Sequence, residues 1–137
     1  MNKHAYVRAY LAGIAVPTVF LLAVMTSFIF LRYVYNVPTP IERVIVFPMA
    51  AVPNIWGLWN VLYVAKLASR NVPLGLYGGL MPLLLVPLGY GVTRLLDFSI
   101  PHIVYGAFPF VFPAALIIYY LAWKYLVGFL NRELGIA

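Results

Sequence analysis

Four long apolar runs, each closed off by basic or turn-forming residues, constrain this chain more than any other feature. They cover residues 9–31, 44–65, 74–93 and 103–123, and none contains an Asp, Glu, Lys or Arg. A helix needs about 20 apolar residues to cross a hydrocarbon layer ~30 Å thick, and every run has that length. Within a bilayer each backbone N–H and C=O must find a partner inside the protein, which leaves helices as the spanning structure for such runs. Composition agrees, because 65% of the 137 residues are hydrophobic and 9% are charged, against about 25% charged in soluble domains. A water-facing globule could not be covered with so little polar surface. The first run, flanked by Lys3, Arg8 and Arg32, exceeds the roughly 7–15 apolar residues of a signal peptide and reads as a retained span.

The connections between runs are short and carry helix-breaking residues. Asn36-Val37-Pro38-Thr39-Pro40 separates the first two, Ser69-Arg70-Asn71-Val72-Pro73 the next two, and residues 94–101 the last two. Proline cannot continue a helix, and short loops make sequential helices antiparallel neighbours. The expected fold is therefore all-α: one domain over residues 1–137, with four antiparallel membrane helices in one bundle. Basic residues near span ends set orientation. With the N-terminus inside, the inner side holds six (Lys3, Arg8, Lys66, Arg70, Lys124, Arg132) and the outer side three (Arg32, Arg43, Arg94). Both termini are expected to be cytoplasmic, in a multi-pass cell-membrane protein. The net charge of +6 is thus read as topogenic and as attraction to anionic headgroups, not as a nucleic-acid surface.

Prolines recur in pairs inside spans two, three and four: Pro48 with Pro53, Pro82 with Pro87, Pro109 with Pro113. Each interior proline removes an N–H and displaces a carbonyl one turn earlier, so these helices are expected to be kinked. Two uses follow. The pairs are either ordinary kinked packing or broken helices lining a solute path. Small residues mark contact faces, because lipid gives helices no hydrophobic reason to associate. Gly75, Gly79 and Gly89 fall on one face of span three, and Ala5, Ala9 and Gly13 on one face of span one. Such faces serve contacts within one chain or between copies.

Few polar side chains interrupt the apolar runs. In Pro53-Asn54-Ile55-Trp56-Gly57-Leu58-Trp59-Asn60, Trp56, Gly57 and Asn60 share one stripe, while Asn54 points about 120° away from Asn60 by the helical period. These amides are either interhelical glue or substrate contacts beside an aromatic wall. Glu42, Arg43, Arg94, Asp97 and His102 should gather at the outer face. They form either an interfacial charge network, such as Glu42 with Arg94 or Asp97 with Arg43, or an acid–base site with His102 beside Asp97. The chain has no cysteine, which excludes thiol catalysis, disulfides and thiolate metal sites. His4 and His102 should lie on opposite sides of the membrane, so one chain cannot bring both to one metal or haem. No cofactor or metal is expected. No phosphate loop or nucleophile–base pair is visible.

Three functions fit these residues. The first is a structural or accessory membrane subunit, homo-oligomeric or part of a larger membrane complex. The second is a small channel or carrier for a neutral or weakly polar solute. The third is an outer-face enzyme acting on lipid. The first fits best, because mid-span charge and catalytic constellations are both missing from the sequence.

Overall fold

The computed structural model describes residues 3–136. These are helical throughout except for the connections, and four helices among them are long and apolar enough to cross a membrane. They are α1 (Ala5–Tyr33), α2 (Ile41–Arg70), α3 (Leu74–Leu95) and α4 (His102–Glu133). Each outruns its apolar stretch at one or both ends. The excess is largest in α4, whose last turns carry the polar Asn131, Arg132 and Glu133.

The helical paths are not uniform. In α2, wide π-type turns occupy Ile45–Met49, around Pro48, and Tyr63–Leu67. A third lies at Ala122–Val127 of α4. Pro53 and Pro82 stand in the first turn of the regular segments Val52–Leu62 and Met81–Leu95. A first-turn N–H has no intrahelical partner in any case, so proline costs little there. Pro17, Pro87, Pro109 and Pro113 lie inside regular helix.

Each of the four helices ends in the same way. Asn36, Asn71, Asp97 and Gly135 adopt φ near +55 to +68°, the left-handed conformation that Asn, Asp and Gly tolerate best. The residue after each donates its N–H back over the last turn: Val37 to Leu31 (2.8 Å), Val72 to Leu67 (3.5 Å), Phe98 to Thr93 (2.9 Å) and Ile136 to Asn131 (2.8 Å). These bonds occupy carbonyls that a helix end leaves without partners.

Close packing depends on glycine. α1 lies against the regular middle of α2, where a Cβ on Gly13 would stand 2.5 Å from the Trp56 carbonyl oxygen and 2.7 Å from the Gly57 Cα. The first turns of α3 lie against the last third of α4. There the Trp123 ring sits directly on Gly78, and Tyr120 covers Gly75 and Gly79. Farther along, Phe47 of α2 touches Gly89. The core so formed comprises Trp56, Met81, Leu85, Trp123 and Val127. In contrast, no residue of His102–Leu121 is buried. That stretch turns Ile103, Phe110, Ile117 and Ile118 outward, which suits a helix solvated by hydrocarbon.

Gly78→Ala should destabilise the protein by on the order of 3 kcal/mol, since the methyl would overlap the Trp123 ring. Gly106→Ala, with nothing nearby, should be neutral or stabilise by up to about 1 kcal/mol. Reversible denaturation in mixed detergent micelles measures both.

Candidate functional site

The most enclosed polar groups of the described residues are two amides. Asn60 in α2 and Asn131 in α4 are each 0% exposed. Asn60 Nδ2 donates to Asn131 Oδ1 at 2.8 Å, and Asn131 Nδ2 donates back to Asn60 Oδ1 at 3.1 Å. Asn60 Nδ2 also donates to the carbonyl of Ala9 in α1 at 2.8 Å. Both donors of Asn60 are used, so the pair locks three helices at one point. Ala9 is itself fully buried, and its small side chain lets the amide reach the α1 backbone. The pair has no charge, no unsatisfied donor on Asn60 and no opening. It is a joint between helices, bonded and enclosed within the chain.

Aromatic rings continue from this joint. Trp56 stacks on Trp123 with centroids 5.1 Å apart and meets Tyr119 at the same separation. Trp59 stacks on Tyr77 at 4.9 Å. Their polar atoms cross between α2 and α3: Trp59 Nε1 donates to the Tyr77 carbonyl at 3.2 Å, and Tyr77 Oη donates to the Trp59 carbonyl at 2.9 Å. Tyr63 Oη donates to the Val72 carbonyl at 2.7 Å. The indole N–H groups of Trp56 and Trp123 are buried without an oxygen partner. Trp56 is 4% exposed and belongs to the packed core.

Asn54 faces the other way, as the helical period requires. It is exposed beside a groove of about 220 Å³ between α1 and α2, whose walls include Tyr10, Ile14, Thr18, Met49 and Pro53. Tyr10 Oη donates to Asn54 Oδ1, and Asn54 Nδ2 donates to the Ala50 carbonyl at 2.9 Å.

The five residues expected at the outer face divide into separate contacts. Glu42 pairs with Arg32, not with Arg94. The guanidinium grips both carboxylate oxygens, at 2.6 and 3.1 Å, and also donates to the Thr39 carbonyl. The short α1–α2 turn places the two only ten positions apart, which local geometry favours over a partner on another helix. Arg43 pairs not with Asp97 but with Ser99, donating to its carbonyl at 2.9 Å and its hydroxyl at 3.3 Å. It also lies over the Phe98 ring. Arg94 lies over the Tyr90 ring. Asp97 acts through its backbone, as the left-handed residue that ends α3. His102 is exposed in the first turn of α4. No hydrogen bond or ion pair joins Asp97 to His102 among the described residues, and no three metal-ligating side chains gather there.

The small-residue faces are filled from within the chain: Gly13 by α2, Gly75 and Gly79 by α4, and Gly89 by Phe47. Sequence reasoning missed Asn131, Trp123 and Gly78. The first two had a signal, since Trp123, Val127 and Asn131 recur every four residues on one helix face, and all three are fully buried. No protein-family model, curated protein or solved structure matches this chain.

Asn131→Leu strands the Asn60 amide and should cost about 1–3 kcal/mol. Adding Asn60→Leu should cost clearly less than the sum of the two single changes, which a double-mutant cycle in micelles measures. Asp97→Gly should leave stability unchanged, whereas Asp97→Ile should lose about 1–2 kcal/mol by forcing a branched residue into the left-handed region. The same denaturation assay separates them.

Proposed function

We propose that this protein is a structural or accessory subunit of the cell membrane, self-associated or docked on a larger membrane complex. In this reading its four helices form an antiparallel, proline-kinked bundle with both termini in the cytoplasm. The six-to-three distribution of basic residues supports that orientation. The bond from Arg8, near the start of α1, to the Leu134 carbonyl just past α4, at 3.3 Å, supports both ends lying on one side.

The observation that carries the functional reading is the reciprocal Asn60–Asn131 pair. A carrier must leave polar groups open to its solute along its path. Here the most enclosed amides are spent on each other and on the α1 backbone. The charged residues at the other end serve turns and loops in the same way: Arg32 with Glu42, and Arg43 with Ser99. An acid–base site needs groups within hydrogen-bond reach of one another or of a common substrate atom, and no hydrogen bond or ion pair joins Asp97 to His102 among the described residues.

The carrier reading keeps one supporting observation, the Tyr10–Asn54 pair beside the α1–α2 groove. Reconstitution separates the two. The protein in liposomes should give no flux of small neutral solutes above protein-free vesicles. Purification in mild detergent should instead yield a discrete oligomer or a stoichiometric partner. Solute flux that Asn54→Leu abolishes, in a variant that still folds, would make the protein a carrier.

A further inference from the structure

Asn54 is out of place for a residue facing lipid. It stands eleven positions after Arg43 and twelve before Lys66, so roughly 17 Å of helix separates it from the nearest charge on either side. That is the middle of the hydrocarbon. Its hydrogen bonding is half complete. Oδ1 accepts from Tyr10 and keeps one lone pair, while Nδ2 donates to Ala50 and keeps one N–H. Thr18, exposed in the wall of the same groove, carries a hydroxyl that bonds no other described residue, unlike Thr26 and Ser27, which each bond a carbonyl one turn back. Lipid tails offer nothing to either group, and an unmade bond in hydrocarbon costs several kcal/mol.

We propose that this face of α1 and α2 docks on the same face of a second copy of this chain, with the two Asn54 amides bonded to each other across a twofold axis. The proposal rests on the self-associating form of the reading above. Three observations select this occupant. A primary amide with one free donor and one free lone pair is self-complementary, so two copies fill every slot in both with a pair of N–H···O bonds. The chain already builds that pair internally, at 2.8 and 3.1 Å between Asn60 and Asn131. Gly13, Gly75, Gly79 and Gly89 are covered from within the chain, and of the two surface recesses the one along α3, beside the open Gly91, is lined by apolar residues alone, whereas the groove beside Asn54 has polar groups to bond and can receive a ridge from a neighbour. No charged residue lines it, so the contact survives in hydrocarbon, and a twofold interface uses one patch on both partners.

The absence of cysteine makes the test direct. Thr18→Cys, in an otherwise unaltered chain in dilute liposomes, should give a disulfide-linked dimer with a membrane-permeant oxidant. Ile117→Cys, on the outward side of α4, should not. Asn54→Leu, checked for unchanged tryptophan fluorescence, should weaken dimerisation by about tenfold in subunit-exchange measurements, as the loss of two interhelical bonds and their partners implies. Cross-linking at Ile117→Cys and not at Thr18→Cys would overturn this face while keeping the protein an oligomer. Single-step photobleaching of the labelled protein at every density would overturn the oligomer as well. Tight dimers in Asn54→Leu would remove the amide pair. Saturable binding of a small neutral solute to a monomer, lost in Asn54→Leu, would give the groove to a ligand instead.

Discussion

The reciprocal bond between Asn60 and Asn131, with the Ala9 carbonyl as its third member, is the constraint on which the packed part of this protein depends. In water, helices associate because burying their apolar faces releases solvent. In hydrocarbon that drive is absent, and association rests on close steric fit and on polar groups that have nowhere else to bond. The amide pair is the polar part of this answer, and Gly13 on Gly57 and Trp123 on Gly78 are the steric part. Each needs the others. The α1 backbone can reach Asn60 only because Gly13 lets α1 approach α2, and Asn131 is held opposite Asn60 because Trp123, about two turns earlier, is seated on α3.

This arrangement explains why the rest of the molecule is so loosely enclosed. The packed core lies among Trp56, Met81, Leu85, Trp123 and Val127, and the first twenty residues of α4 bury none of their side chains. Exposed phenylalanines and isoleucines would be a liability in water. In lipid they are solvated as well as they would be in a protein interior, so nothing penalises their exposure. The polar groups alone need partners, and the structure supplies many of them locally. Thr26, Ser27 and Thr93 bond carbonyls of their own helices, and Arg32 and Arg43 bond across turns.

Charged residues at the end bearing Arg32, Arg43 and Arg94 show how far side-chain type alone can mislead. An acid, a histidine and three arginines within one face resemble a reaction centre when only their proximity is known. Their contacts fall on turns and connections. Glu42 holds a hairpin through Arg32, Arg43 holds the α3–α4 connection through Ser99, and Asp97 contributes a backbone conformation. Asp97 illustrates the point best, because its carboxylate drew attention while its tolerance of positive φ is what the fold uses.

Length and periodicity were enough to read the helices, because a bilayer demands unbroken runs of about twenty apolar residues and tolerates no other backbone there. The turn residues Asn36 and Asn71 were legible for a similar local reason, as was the opposition of Asn54 and Asn60, which follows from the angle between successive residues. Pairings were not legible. Which amide meets Asn60, which ring fills the space above Gly78 and which arginine takes Glu42 depend on how far helices slide and rotate against one another. That register is set by the summed fit of many side chains, none of which carries its partner's position in its own identity. The sequence by itself therefore determined the number of membrane-length helices, the turns that close the first two and the opposition of Asn54 and Asn60. Only the tertiary structure decided that the deep polar groups are spent within the chain and that Asn54 is left unspent. Whether a hydrogen-bonding atom is free is a property of its neighbours, and those neighbours lie dozens of residues away.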